Sequence, residues 1–239
     1  MTPATIEAPT ILVPPRTAIL DLAARWDVAS RDLGVFQSEF CWTNKVIPGR
    51  DGGRATNVET LFPADRPHLQ ALNALWLDNP LLAIVKCRQV LLTWWMATIA
   101  LWDAAFHKGR LIMQQAKRLE DVIGDETTGD GLLGRTKYIL ARIPCARDLG
   151  LTVDAKADRL VFPRSRSTIW AIPQGGSILR QRTASGIESD EAAFQPEFGD
   201  ALTAAIPCIR SGGWFVAVST ADLTDGGAMF RLVRDLPDE

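Results

Sequence analysis

Short apolar runs alternate with longer helix-spaced segments through most of this chain, and no other feature restricts its fold so much. Residues 81–85 and 214–218 are apolar runs of strand length, 110–113 reads as a second short strand, and residues 159–162 and 168–172 read as a strand pair separated by 163–167. Between them, residues 92–106, 116–123, 136–143 and 197–206 carry helical spacing, as do 17–33 and 68–77 upstream. The Gly-rich stretches 48–57 and 125–134 read as exposed loops. Strands that alternate with helices predict an α/β domain whose mostly parallel sheet is covered on both faces. Ligands bind such sheets beyond the carboxyl ends of the strands. Chemistry is therefore expected just after Val85, around Ser189 and just after Val218.

Composition narrows the class. With 239 residues, 47% hydrophobic and 23% charged, the chain can bury one large core, or one core and a small appendage. A formal net charge of -2 gives no general attraction to nucleic acid, so any contact with DNA must come from a local patch or a ring of subunits. Residues 1–16 lack the basic and apolar segments of a signal peptide. The longest uncharged apolar run, 90–102, is well short of the roughly 20 residues that span a bilayer. The four cysteines, Cys41, Cys87, Cys145 and Cys208, form no CxxC pair, so no zinc site or disulfide framework is expected and a reducing cytosol fits. His68 and His107 stand alone, without a Cys or His at metal-ligand spacing. Lys108, Arg110, Lys117 and Arg118 form a modest basic cluster, read as a solvated face or a phosphate contact.

Three segments could carry chemistry. Lys86, Cys87, Arg88, Gln89, Val90, Leu91, Leu92 and Thr93 lie between a predicted strand and a predicted helix. A phosphate loop needs backbone N–H groups facing the anion, a lysine, and a hydroxyl for Mg²⁺ at the helix start. Lys86 and Thr93 supply the last two, although Leu91 and Leu92 stand where Gly and Lys are usual. Read alone, the segment also fits a basic turn ahead of a buried helix. Asp190 and Glu191 form an adjacent acidic pair, suited to dividing metal binding and water activation, or to solvated surface charge. Ser219 and Thr220 follow a predicted strand, where hydroxyls can sense a phosphate or simply make a turn. The order, basic loop with hydroxyl, then acidic pair, then Ser-Thr, is less easily accidental than any one of them.

These residues resemble the ATPase domain of tailed-phage terminase large subunits. The resemblance rests on Lys86-Cys87-Arg88-Gln89 with Thr93-Trp94, on the stretch from Arg182 to Ile187, on Asp190 to Gln195, and on Val218-Ser219-Thr220. It covers roughly residues 62–231. It implies a P-loop NTPase fold of the RecA-like, additional-strand type, and ATP with Mg²⁺ as cofactors. By the same resemblance Lys86 binds phosphate, Arg88 and Gln89 match the loop, Thr93 contacts Mg²⁺, Asp190 is the Walker B carboxylate and Glu191 the catalytic base. Ser219 and Thr220 become the coupling motif. Phe62, Pro63 and Gln70 fall where the family recognises adenine, with Gln70 as the contact. Arg180 or Arg182 becomes an arginine finger acting across a subunit boundary.

The resemblance further implies double-stranded DNA, a portal protein, a small terminase subunit and a nuclease domain or subunit as partners. It also implies a homo-oligomeric ring, host cytoplasm as location and no membrane. Residues 1–57 are expected to form an arm or lid, and 58–239 the ATPase domain. The family's C-terminal nuclease domain has no room in this sequence, which reads as an isolated motor domain or a split subunit. Leu91 departs from the loop pattern, so weak nucleotide binding is one expectation. Two other readings stay open: a helicase-like translocase of the same ATPase group, and an assembly module that keeps the fold and binds no nucleotide.

Overall fold

In the computed structural model, residues 16–47, 56–221 and 227–234 are described. Nine helices and nine strands are found among them. The helices are α1 (Arg16–Ala29), α2 (Leu33–Phe40), α3 (Pro67–Asp78), α4 (Leu92–Phe106), α5 (Leu119–Ile123), α6 (Leu132–Arg142), α7 (Ser177–Arg180), α8 (Phe198–Arg210) and α9 (Ala228–Arg234). The strands are β1 (Trp42–Ile47), β2 (Thr56–Leu61), β3 (Leu81–Lys86), β4 (Leu111–Ala116), β5 (Asp154–Ala155), β6 (Arg159–Phe162), β7 (Ser167–Pro173), β8 (Gly186–Asp190) and β9 (Trp214–Thr220).

Seven strands form one sheet in the order β3-β9-β8-β4-β7-β6-β5. The first five are mutually parallel, whereas β6 and β5 extend the sheet antiparallel. Alternation along each strand feeds two cores. Ile112, Val216 and Val218 join the layer containing α4 and α6, whereas Met113, Phe215 and Ala217 join the layer containing α8. Helix α4 is apolar around its whole circumference and is buried from Leu92 to Ala104 save for the half-exposed Thr93. The mostly parallel sheet carries helices on both faces, and β9 lies between β3 and β8.

Several boundaries differ from expectation. The predicted helix 17–33 is two helices. The second starts at Leu33 because the Asp32 side chain accepts the Val35 N–H at 3.1 Å. Ala116 completes β4 opposite Pro173 instead of opening a helix, so α5 begins three residues later. Helix α6 opens at Leu132, inside the expected loop 125–134, directly after Gly131 at φ 67°. Residues 48–55 of the expected loop 48–57 lie outside the described residues, and Thr56 and Asn57 belong to β2, which pairs antiparallel with β1. The 57/58 boundary thus falls inside β2. Upstream of it, Phe36 and Phe40 of α2 are buried in the same core as α4.

Candidate active site

Parallel pairing brings three strand ends to one level. Lys86 closes β3 opposite Thr220 of β9, and Asp190 closes β8 opposite Val218. Lys86 Nζ lies 3.1 Å from Glu191 Oε1, with the lysine side chain only 10% exposed. The other carboxylate oxygen, Oε2, accepts the Thr220 N–H and hydroxyl, each at 3.3 Å, and the Ser219 hydroxyl at 3.5 Å. Ser219 Oγ in turn accepts the Ala193 N–H at 3.1 Å, which ties the turn after β8 to the end of β9. Burial pushes the Glu191 carboxyl upward, but the Lys86 hydrogen bond and charge, with the Thr220 bonds, outweigh it and hold the group below the usual range.

Glu191 itself is left-handed, at φ 50° and ψ 44°. Its N–H donates to Asp190 Oδ1 at 3.1 Å. This backbone turns the two neighbouring carboxyl groups to different surroundings. Burial, followed by the Glu191 charge, raises the Asp190 pKa against the opposing pull of Lys86, Arg135 and the neighbouring Thr93 hydroxyl. A hydroxyl and a carboxylate oxygen together are hard donors of the kind that Mg²⁺ takes when substrate phosphates and waters complete its shell. Among the described residues no group of three or more His, Cys, Asp or Glu could hold a metal, so any cation here depends on that pair and on the substrate.

The loop between Lys86 and α4 makes two left-handed steps without glycine, Gln89 at φ 64° and Leu91 at φ 65°. Leu91 precedes the first turn of α4, and no side chain caps that helix. The first N–H groups of α4 are therefore left for an anion, with the helix dipole favouring negative charge there. A cleft of about 360 Å³ opens over the loop, within the size range of small-molecule sites. Lys86, Thr93 and Gln89 to Leu92 line it from the loop side. Trp94 and Arg135 of α6 line another wall, and Asn44 of β1 and Arg66 ahead of α3 complete it.

Lys86, Thr93, Asp190, Glu191, Ser219 and Thr220 are thus brought together, with Gln89, Val90, Leu91 and Leu92 on the cleft wall. Cys87 and Arg88 are exposed loop residues that do not line it. Gln70 is exposed on α3 and faces a separate cleft of about 620 Å³ that contains none of the loop residues. Arg182 is also exposed, and its guanidinium lies 5.8 Å from the Trp170 ring centroid. Arg180 pairs with Asp200. His68 approaches the loop, with Nε2 3.4 Å from the Val90 carbonyl. Asn44, Arg66 and Arg135 were not foreseen. Only the basic character of the two arginines is visible in sequence, and nothing there distinguishes them from surface charge.

No family profile and no curated protein matches the chain. Among solved structures it is similar to the HK97 bacteriophage large terminase, with TM-score 0.55 and 13% identity over 86% of this chain and 40% of that one. An ATPase-domain mutant of a Thermus phage large terminase gives TM-score 0.49 and 17% identity over 67% of each chain. The chain spans less than half the length of the HK97 protein. At such identities the similarity is one of fold alone, shared with a part of the HK97 large terminase.

Proposed function

We propose that this chain is the ATP-hydrolysing motor domain of a viral DNA-packaging terminase, which couples hydrolysis to translocation of double-stranded DNA. The observation that carries this reading is the joining of Lys86, Glu191 and the Ser219-Thr220 pair in one hydrogen-bonded cluster at the strand ends. The terminase-like fold supports it at the level of architecture.

In this reading the phosphates of ATP lie on the first turn of α4 and on Lys86, which exchanges Glu191 for the terminal phosphate. Thr93 and Asp190 would hold Mg²⁺, which when bound neutralises charge on the phosphate oxygens. Glu191, released from Lys86, orients a water and takes its proton as the water oxygen bonds to the γ-phosphorus and the bond to the β–γ bridging oxygen breaks. Ser219 and Thr220 hold Glu191 from β9, so a change at the carboxylate is transmitted into that strand. Arg182 would act on the nucleotide of a neighbouring subunit in a ring. The portal, the small subunit and a nuclease domain or subunit complete the machine at the procapsid in the host cytoplasm. No helix among the described residues is long and apolar enough to cross a membrane.

The deciding experiment is ATP hydrolysis by the purified chain with and without double-stranded DNA, comparing wild type with Glu191→Ala. Loss of a general base costs about 10²–10⁴-fold in rate, so DNA-stimulated turnover should fall to background. Unaltered turnover in the variant would refute the assignment. A second reading, a nucleotide-free assembly module, draws on the side chains at the left-handed positions Gln89 and Leu91. It requires that the wild-type chain bind no nucleotide.

A further inference from the structure

Arg135 occupies the first turns of α6, and its surroundings are unusual for a cation. Its side chain is only 21% exposed, and the one carboxylate within ion-pair reach among the described residues is Asp130, at 4.0 Å and itself 80% exposed. Nη1 donates to the Gly131 carbonyl at 3.3 Å, while Nε is buried without an acceptor. Burial draws the guanidinium below the ordinary arginine range against the pull of Asp190 and Asp130. A mostly buried charge with no close counter-charge is costly unless something else supplies one.

Its position is fixed from three sides. The guanidinium lies 5.4 Å from the centroid of Trp94, the residue after Thr93. Trp94 is held on another side by Gly129, where an added Cβ would fall 2.5 Å from the ring. The next residue on α6, Thr136, receives the Gln114 side-chain amide at 3.3 Å, and that same amide donates to buried Glu188 of β8 at 2.8 Å. Arg135 is therefore anchored to the strand that ends in Asp190, and it lines the cleft that Lys86 and Thr93 line. A planar guanidinium suits paired phosphate oxygens.

We propose that Arg135 binds the phosphate chain of the nucleotide from within the same subunit, so that the anion supplies the counter-charge which the protein withholds. The proposal rests on the nucleotide-site reading above. It assigns to the cleft a second phosphate-binding cation besides Lys86, from a helix that sequence reasoning left unassigned. It also gives the chain a means of holding phosphate through a loop that lacks glycines.

The test is equilibrium binding of Mg-ATP and of tripolyphosphate, a probe without base or ribose, to wild type, Arg135→Gln and Arg135→Lys. A charge-assisted contact of this kind predicts that both probes bind Arg135→Gln about 10- to 100-fold more weakly. Arg135→Lys should fall between, because a point charge replaces a fork. Equal affinity in wild type and both variants would overturn the proposal and leave the nucleotide site standing. Weaker ATP with unchanged tripolyphosphate would also overturn it, because Arg135 would then serve the base, the ribose or the local packing. If Arg135→Gln fails to fold, Arg135→Lys decides alone, with unchanged affinity as the refuting result. Wild-type protein that binds neither probe would refute the nucleotide site, and this proposal with it.

Discussion

Leu91 offers a direct test of how the loop over the cleft is built. It adopts φ 65° and ψ 14° immediately ahead of α4. Left-handed backbone costs an L-residue about 1–2 kcal/mol, and glycine escapes this while losing roughly 0.5–1 kcal/mol of extra conformational freedom on folding. The Leu91 side chain also packs, half-buried, against the main core. Leu91→Ala and Leu91→Gly both give up that packing, so the difference between them isolates the backbone. At an ordinary helix site alanine exceeds glycine by up to about 1 kcal/mol. At 91 the order should invert, with Leu91→Gly more stable than Leu91→Ala by about 0.5–1 kcal/mol. Urea unfolding followed by tryptophan fluorescence, analysed with a common slope, resolves this difference. In a melt it corresponds to roughly 1–4 °C for a chain of this size. Leu91→Ala equal to or more stable than Leu91→Gly would refute the reasoning, because the strain assigned to the loop would then be absent.

Two further outcomes follow from buried groups in β8. A Cβ at Gly186 would fall 2.4 Å from the Trp214 ring, and that ring is held by its own N–H donating to Asp103 at 3.0 Å. Gly186→Ala should therefore cost about 1–3 kcal/mol as overpacking, and a variant that melts with wild type would count against it. Glu188 is fully buried, and desolvation, with smaller contributions from the Asp190 and Asp103 charges, raises its pKa well above the ordinary carboxyl range despite the Gln114 hydrogen bond. The unfolded chain loses this proton at the ordinary value and the folded chain only at higher pH, so the folded state binds more protons in between and stability falls as pH rises through that window. Glu188→Gln should remove this slope and be relatively more stable toward the upper end of the window. Denaturation at several pH values checks both points, and an unchanged slope would contradict them.

The strand ends that build the site were legible because their chemistry is local to the sequence. Residues 81–85 and 214–218 are apolar runs that a parallel sheet buries, and each is followed at once by the polar residues that matter, Lys86 and Ser219-Thr220. Strand β8 was harder to see. Gly186, Glu188 and Ser189 occupy three of its five positions, and only Ile187 is large and apolar. It is a central strand because its polar side chains find partners on both sides of the sheet. Gln114 donates to Glu188, while Gln115 and Gln195 donate to Ser189 at 3.2 and 3.0 Å. A hydropathy pattern cannot register that compensation, since the partners lie 74 positions away in β4 for two of the three bonds.

The wall of the cleft was illegible for a related reason. Arg135 falls between a polar glycine-rich loop read at 125–134 and a helical spacing that starts at 136, and α6 begins inside that loop where Gly124 and Gly131 pack tightly. A Cβ on Gly124 would meet the Asp130 carbonyl at 1.9 Å, and one on Gly131 would meet the Gly124 Cα at 2.6 Å. That closure starts α6 four residues earlier than its apolar spacing suggests and places Arg135 over Trp94. Gln70 shows the converse. Its place upstream of the loop suited a base contact, yet α3 leaves it exposed over a different cleft, while Arg66, immediately ahead of that helix, lines the cleft over the loop. Residues at the ends of parallel strands converge by topology alone, so their sequence order is enough to find them. Residues that close a cleft from helices depend on where each helix starts, and a shift of one turn decides which side chain arrives.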